Sequence, residues 1–374
     1  MKAKRMLLVF FVAIIMITMI MSCKVKPFTY IEPSYPYQVS SPTFSPAGGT
    51  YIGDQIVSIR CAEMGAIIVY TTDGTKPNSD SPVYSSPITV TNGTTIKARA
   101  RLEGWVESET GSATYKIGEM KLVEGGTFSR QDSDGSYPIF PVMVTLSSFY
   151  IDQFEVTLSS YEAIVGTNPV YFPDNPNSPA VCVSWFDAIA YCNYRSTQEG
   201  LTPCYSYSTY GTNPSDWPAG WDSNDFSSYQ VNTNWNASGY RLPTEMEWMY
   251  AAKGGNQSQG YTYSGSNYLY EVAWCDSNSS NTRHDVGTKQ PNELGIFDMS
   301  GNVFEWCWDI NGEYPGGAQD NPTGPTQGTF NAGRVNRGGA YHFDTKYCSV
   351  AYRHVGVASG GYYHVGFRCV RRAL

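Results

Sequence analysis

Residues 337–369 read RGGAYHFDTKYCSVAYRHVGVASGGYYHVGFRC. Two short motifs, Arg337-Gly338-Gly339 and Gly366-Phe367-Arg368-Cys369, enclose a segment without helical or strand periodicity. The enclosed segment holds three of the four histidines of the chain and is rich in tyrosine. Tyr and His side chains are amphipathic and stiff, which suits a contact surface better than a core. The pattern predicts a recognition surface held between two rigid ends.

Three short helices are predicted upstream of this segment from their N-terminal residues. Ser159-x-x-Glu162 forms a capping box, and Gly166 would end that helix. Ser184 caps the second helix, and Thr244-x-x-Glu247 caps the third. In the second helix a core-facing stripe is formed by Trp185, Ala188, Ile189 and Cys192. Residues 211–238, rich in Ser, Asn, Tyr and Trp, are expected to be a solvated surface insertion.

Five strings occur in a fixed order through residues 119–374. They are Met120–Phe128, Val183–Ala188, Tyr240–Trp248, Gly301–Trp306, and the final pair formed by the Arg-Gly-Gly and Gly-Phe-Arg motifs. Each string is weak alone, but the ordered set resembles the formylglycine-generating-enzyme (sulfatase-modifying factor) family. The resemblance implies an α+β domain with an irregular C-type lectin-like fold and many loops.

The enzymes of that family oxidise a substrate cysteine with a copper ion held between two cysteines. The resemblance places Cys348 at the second cysteine position and Phe343 at the first. Because Cu(I) prefers a pair of thiolates, a single thiol predicts that the chain is not an enzyme. Cys348 is then expected to be a small buried residue. An oxidase of the formylglycine-generating type is the alternative function.

The resemblance also implies a calcium site. Its ligands would be Asp298, Gly301, Val303 and Glu305, where carboxylates and backbone carbonyls supply the hard oxygen ligands that Ca²⁺ prefers. The competing interpretation pairs Glu305 with Arg368 in the interior. A structural calcium ion is therefore an open expectation, and no cofactor is expected to be required.

The terminal segment resembles a narrower group, the variable proteins of diversity-generating retroelements. These proteins carry a mutagenised segment between Arg-Gly-Gly and Gly-Phe-Arg, and adenine mutagenesis of their usual template codons cannot produce Lys, Gln, Glu, Trp or Met. Within residues 340–364 only Lys346 belongs to that set. The resemblance implies a variable segment at 340–364 that binds a protein or cell-surface ligand.

We call the residues expected to hold the segment in place its frame, and the remaining positions named next are expected to contact the ligand. They are Tyr341, His342, Phe343, Asp344, Tyr347, Ser349, Ala351, Tyr352, His354, Val357, Ser359, Tyr362, Tyr363 and His364. The frame positions are Gly338, Gly339, Cys348, Val350, Arg353, Gly366, Phe367 and Arg368. Two alternatives stay open, a drifted loop and a metal site formed by the three histidines, although their spacing fits no compact metal motif.

The N-terminus has the pattern of a lipoprotein signal peptide over residues 1–22. A basic start precedes an apolar run too short for a membrane span, and Ile20-Met21-Ser22-Cys23 resembles a bacterial lipobox. Cys23 would then be acylated and hold the chain on a membrane. The expected location is the bacterial outer membrane at the cell surface. A passive structural lipoprotein is a second alternative function.

Two further segments lie between the lipobox and the lectin-like domain. Residues 23–41, rich in Pro and Tyr, predict an extended lipidated tether. Residues 42–118 contain short alternating runs, such as Ile56–Arg60, Ile67–Tyr70 and Thr95–Ala100, separated by polar turns. They predict a small all-β immunoglobulin-like sandwich. The string Tyr70–Pro77 resembles chitobiase C-terminal-like modules.

Charge and cysteine content limit the other functions. The formal net charge is −8, and it becomes −11 once residues 1–22, with three basic and no acidic residues, are removed. An acidic chain without basic runs is not expected to bind nucleic acid. Eight cysteines remain besides Cys23, and their spacing indicates no metal site and no particular disulfide pairing.

Overall fold

The computed structural model describes residues 37–52, 54–91, 93–130, 142–170, 175–313, 316–325 and 333–373. The predicted signal peptide, Cys23 and the tether up to residue 36 lie outside these residues. Within them, no helix is both long enough and apolar enough to cross a membrane.

The first folded unit is a β-sandwich, as the sequence predicted. Its strands are β1 (Thr43–Ser45), β2 (Gly49–Ile52), β3 (Gln55–Arg60), β4 (Ile67–Thr71), β5 (Ile88–Val90), β6 (Thr94–Arg101) and β7 (Gly111–Gly118). One sheet has the order β1-β3-β5 and the other the order β2-β7-β6-β4. Alternating residues such as Val57, Ile59 and Ile96 are buried in a shared core with Tyr115. The period-two pattern therefore encoded the inner faces of both sheets.

The second unit is a loop-rich α+β domain. Its helices are α1 (Leu158–Val165), α2 (Trp185–Gln198), α3 (Glu245–Ala252) and α4 (Leu269–Val272). Its strands are β8 (Met120–Val123), β9 (Gly126–Arg130), β10 (Val142–Leu146), β11 (Phe149–Asp152), β12 (Tyr205–Tyr207), β13 (Val231–Thr233), β14 (Phe304–Ile310), β15 (Gln319–Asp320), β16 (Arg334–Arg337), β17 (Arg353–Gly356), β18 (Val365–Gly366) and β19 (Val370–Arg372). This irregular α+β architecture confirms the fold class.

Small sheets replace a single large sheet in this unit. The sheet with the order β17-β16-β14-β18 contains both ends of the variable segment, because β16 ends at Arg337 and β18 contains Gly366. β14 runs antiparallel to β16 and parallel to β18. The remaining sheets have the orders β15-β10-β9, β19-β11-β8 and β12-β13.

The sandwich and the second unit are in contact through one end of the sandwich. β2 packs on α1, where Gly49 approaches Ser159 closely. The ammonium group of Lys116 lies 4.5 Å from the ring centroid of Phe154. Ala163 of α1 also packs against the sandwich core. The strand ends near residues 49 and 116 thus face the second unit.

Two of the three predicted helix starts are correct. Ser184 and Thr244 cap α2 and α3, each in a complete capping box. The capping box predicted at Ser159 is wrong, because α1 is capped by Thr157, whose hydroxyl accepts a hydrogen bond from the backbone N–H of Ser160. Gly166 does end α1 in the left-handed conformation.

Residues 211–238 are mostly exposed or partly exposed, as expected for a surface insertion, but the expectation is wrong for the residues that anchor it. Trp217, Val231 and Ala237 are buried in the main core cluster, and Trp221 packs against it. The Trp217 and Trp221 rings meet edge to face with centroids 4.4 Å apart. The sequence did not predict the burial of these four residues, because the many Ser and Asn residues between them give the insertion a polar composition. The insertion is thus anchored to the core through these residues.

Trp217→Ala should destabilise the domain by about 3–5 kcal/mol, because it removes a buried ring and leaves a cavity. Tyr210→Ala, one residue before the insertion, is the matched control. The Tyr210 side chain is half exposed, and its loss should cost no more than about 0.5 kcal/mol. Urea unfolding of both variants measures the difference. Equal small losses would show that the insertion does not contribute to the core.

Candidate ligand-binding surface

The first end of the variable segment is held by Arg337. Its side chain is buried and donates to the backbone oxygens of Ala351 and Tyr352 at 2.8 and 2.9 Å. It also forms an ion pair with the buried carboxylate of Glu245. The Nε of Arg353 lies 3.0 and 3.1 Å from the two oxygens of the same carboxylate. Glu245 therefore joins the start and the middle of the segment.

The electrostatics of Glu245 follow from these partners. Burial would raise the pKa of its carboxyl group, but Arg337 and Arg353 outweigh burial and lower it. The carboxylate is consequently ionised at neutral pH and neutralises part of the charge of two arginines that are paired across β16 and β17.

The second end is held by Arg368. Its Nε and terminal nitrogen donate to the two oxygens of Glu305, both at 2.7 Å, and neither side chain is accessible to solvent. The same guanidinium donates to the backbone oxygens of Asp152 and Phe297 at 3.1 and 2.8 Å. The indole N–H of Trp248 donates to Glu305 at 2.7 Å. Both ends of the segment are thus held by buried arginines.

The glycines of the frame allow close backbone approach. Gly339 has a φ of +82°, and a Cβ there would lie 2.8 Å from both the sulfur of Cys348 and the backbone oxygen of Tyr347. Gly366 has φ in an ordinary range, but a Cβ would lie 2.7 Å from the backbone oxygen of Ala180. Only glycine satisfies the sign of φ and the space at position 339.

Phe367 is the apolar anchor of the frame. Its ring is fully buried and meets the rings of Tyr161 and Tyr191 edge to face, with centroids 6.5 and 5.2 Å apart. Its backbone oxygen accepts a hydrogen bond from Val156 at 2.9 Å. The frame residues named from the sequence are buried, except Arg353, which is partly exposed.

Eleven of the fourteen predicted contact residues have accessible side chains. Asp344, Val357, Ser359 and Tyr363 are exposed, and His342, Phe343, Tyr347, Tyr352, His354, Tyr362 and His364 are partly exposed. The expectation that all fourteen face outward is wrong for Tyr341, Ser349 and Ala351, which are buried. Without a period in the sequence, nothing local distinguished these three from their neighbours.

The accessible aromatic residues form one continuous cluster. The ring of Phe343 lies 5.5 Å from Tyr347, 5.2 Å from His364 and 6.1 Å from His354. His342 is 5.1 Å from both His364 and Tyr363. Residues separated by up to 22 positions therefore form one surface.

The floor of this cluster is Phe304, which the sequence did not single out. Its buried ring contacts Phe343 at 5.0 Å and stacks with His354 at 4.7 Å. Asp276 and Arg283 border the surface, because the Asp276 N–H donates to the Phe343 oxygen and Arg283 donates to the Tyr363 oxygen. No sequence signal linked these border residues to the segment.

The three histidines favour the neutral form. Burial is the main cause that lowers the pKa of His364 to about 4, and His342 and His354 lower it further. Burial also lowers the pKa of His342 and that of His354. At neutral pH this part of the surface is uncharged. Although the fold brings the histidines together, the described residues contain no group of three or more His, Cys, Asp or Glu side chains arranged to hold a metal ion.

Phe343 and Cys348, which the family resemblance places at the copper-cysteine positions, do not form a pair of thiolates. Phe343 is packed among aromatic rings, and Cys348 is fully buried in a small cluster with Leu269, Ala273 and Cys275. Burial raises the pKa of the Cys348 thiol far above its usual range, and Cys275 raises it further. Since the thiolate is the reactive and metal-binding form, Cys348 is poorly suited to either role.

Of the residues predicted to bind calcium, Glu305 is engaged by an internal ion pair, whereas the Oδ1 of Asp298 is buried and has no hydrogen-bond partner among the described residues. Both oxygens of Glu305 already accept hydrogen bonds from Arg368, and one also accepts from Trp248. Asp298 accepts from the N–H of Gly287 at 2.6 Å, and burial raises the pKa of Asp298 to about 6. Calcium would have to compete with Arg368 for Glu305. The interior ion pair is the arrangement present, and the calcium site stays a prediction.

The fold and the frame of the segment agree with the family that the sequence matches. The model of the sulfatase-modifying factor enzyme 1-like domain matches residues 107–373, so the chain belongs to this family. The chitobiase/beta-hexosaminidase C-terminal domain model matches residues 46–112. Both resemblances inferred from the sequence are confirmed.

Individual relatives include proteins named as enzymes and proteins named otherwise. The chain is 36% identical over 289 residues to the chaperone protein LppX of Paenibacillus barcinonensis, covering 73% of this chain and 96% of that protein. It is 27% identical to the formylglycine-generating enzyme of Streptomyces coelicolor, over 68% of this chain and 90% of the enzyme. The structure of Treponema denticola variable protein 1 matches with 32% identity and a TM-score of 0.60, covering 73% and 98% of the two chains. The resemblance to variable proteins is confirmed.

Phe367→Ala should reduce the free energy of unfolding by about 3–5 kcal/mol, because the ring is fully buried. Tyr363→Ala is the control at the opposite extreme, since more than half of that side chain is exposed. Its effect should stay within about 0.5 kcal/mol. Thermal and denaturant unfolding compare the two. A benign Phe367→Ala with a disruptive Tyr363→Ala would show that the segment is core.

Acid should destabilise the domain partly through His364. Its folded pKa of about 4 lies below the unfolded value of about 6.5, so the unfolded chain takes up the proton first. The stability from this group is complete above pH 6.5 and is lost as the pH falls toward 4. The melting temperature of His364→Gln should therefore fall less than that of the wild type between pH 6.5 and pH 4. Identical pH profiles for the two proteins would contradict this assignment.

Proposed function

We propose that the chain is a surface-displayed lipoprotein whose C-terminal domain presents a diversified ligand-binding surface. One observation carries the proposal: the frame of the segment is buried and ion-paired, whereas eleven side chains between the two ends are accessible. Substitutions at exposed positions cost little stability, so such a surface can vary while the fold is preserved.

The composition of the surface favours a protein or cell-surface ligand. Tyr, His and Phe provide large contact areas at low entropic cost, as they do in antibody binding loops. Asp344, Lys346 and the ion-paired Arg353 are the charged residues of residues 340–364, so no basic stripe is present. Four cavities of about 30, 240, 450 and 650 Å³ are lined by residues outside this segment. Contact over an extended aromatic surface is the mode that fits.

Similarity to Treponema denticola variable protein 1 supports variability as the purpose of the segment. The expected location is the outer membrane, where acylated Cys23 would anchor the chain and display the domain at the cell surface. Anchoring rests on the lipobox-like string in the sequence.

Sequencing the gene from several isolates tests the proposal. Substitutions should concentrate at the eleven accessible positions and should avoid Arg337, Glu245, Glu305, Phe367 and Arg368. The frame residues serve as the internal control because they flank the segment or form ion pairs with residues that flank it or lie in it. Uniform drift would favour a passive structural lipoprotein, and an invariant segment would favour catalysis.

We further propose that the chain is not an oxidase, because Phe343 replaces one thiol and Cys348 is buried and protonated. Purified protein with Cu(I) should not oxidise a cysteine peptide derived from a sulfatase. A formylglycine-generating enzyme assayed in parallel shows that the peptide is competent. Turnover that Cys348→Ser abolishes would overturn this assignment.

A further inference from the structure

Exposed apolar and aromatic side chains gather at one pole of the β-sandwich. The exposed fractions are 74% for Tyr37, 98% for Met64, 38% for Trp105 and 44% for Val106. The rings of Tyr37 and Trp105 lie 5.1 Å apart. We call this set the apolar pole. A contiguous exposed apolar patch of this kind marks a contact site with a protein or a membrane, whereas single scattered apolar residues do not.

Strand direction and hydrogen bonds bring these residues together. The loop with Met64 enters β4 and the loop with Trp105 leaves β6, and the register pairs Ile67 with Arg101 at that end. Val106 donates to the Tyr37 oxygen at 2.9 Å and accepts from the Val39 N–H at 3.0 Å. Glu63, beside Met64, accepts from the Ser40 hydroxyl at 2.7 Å.

The apolar pole is the end of the sandwich away from the second unit. β6 runs from Thr94 to Arg101, and Thr94 pairs with Tyr115 while Ala98 pairs with Gly111. Lys116, next to Tyr115, contacts Phe154 of the second unit. The loop that follows Arg101 therefore lies at the other end of β6 from Thr94. The eight residues of this strand span about 26 Å at roughly 3.3 Å each.

The chain also enters the sandwich at this pole. Tyr37 is the first described residue and belongs to the pole itself. It follows Cys23, the predicted acylation site, by 14 positions. At roughly 3.5 Å per residue this length of chain reaches no more than about 50 Å. An anchored Cys23 would thus keep the apolar pole close to the bilayer.

We propose that the apolar pole rests in the headgroup region of the phospholipid bilayer, a proposal that depends on the proposed acylation of Cys23. Tyr and Trp favour this region because their rings are apolar and their O–H and N–H groups remain hydrated. The charges nearby are mixed and form no cationic patch, since Arg60 and Arg101 lie at this end together with Glu63 and Glu103, and Arg99 is ion-paired with Glu107 at 2.9 Å. Neutral, zwitterionic lipid is the surface that fits.

This contact would orient the molecule. The sandwich would stand on the bilayer and hold the second unit, with its variable segment, above the membrane. The sandwich would then be a spacer fixed on the membrane. It would restrict the orientations of the second unit more than a flexible tether alone.

Tryptophan quenching tests the contact in the full acylated protein. The protein is reconstituted in phosphatidylcholine vesicles whose acyl chains are brominated near the headgroup, and its emission is compared with that in unbrominated vesicles. Because the chain has nine tryptophans, quenching should remove up to about one ninth of the emission. Trp105→Phe should abolish this quenching, whereas Trp235→Phe, a matched change in the second unit, should leave it intact.

Incorporation of labelled palmitate into wild type, but not into Cys23→Ala, is measured in the same preparations. Labelled protein with quenching that depends on Trp105 supports the proposal. Labelled protein without that quenching overturns the membrane contact alone, and binding of the pole to a protein or glycan would give this result. Absence of label overturns the anchor and the contact together, so the two failures are distinguishable.

Discussion

The structure of the variable segment depends on one buried carboxylate, Glu245, which pairs with Arg337 and Arg353. The two arginines face each other across β16 and β17, where like charges would otherwise repel. Removing one partner from such a buried group typically costs about 3–5 kcal/mol, because the remaining charge stays buried and unpaired. Glu245 is the first residue of α3. The interaction therefore joins this helix to β16, which precedes the segment, and to β17, which lies within it.

The pairing of Arg368 with Glu305 repeats this arrangement at the other end of the segment. The frame side chains face inward, whereas the aromatic side chains between them lie at the edge of the core, where Phe343, Tyr347, Tyr352 and Tyr362 are partly exposed and pack against it. The floor ring of Phe304 supports the cluster from below. This separation of frame from surface is the physical condition for a binding site whose residues can change.

The same fold serves an enzyme family, and the difference lies in a few positions. Phe343 joins the aromatic cluster where the family resemblance implies a thiol, and burial keeps the thiol of Cys348 protonated. At the calcium positions, Arg368 occupies the carboxylate that an ion would need. In this structure these positions take part in packing or in an internal ion pair.

The sequence by itself determined the sandwich, the caps at Ser184 and Thr244, the order of the family motifs and the two buried motifs that enclose the terminal segment. These features follow from local periodicity, capping chemistry and short motifs. Only the tertiary structure decided that Glu245 binds Arg337 over 92 positions, that Tyr341, Ser349 and Ala351 turn inward, and that Trp217 is core. Such outcomes depend on contacts between residues distant in sequence, and in an irregular segment no local pattern encodes which side chain faces the core.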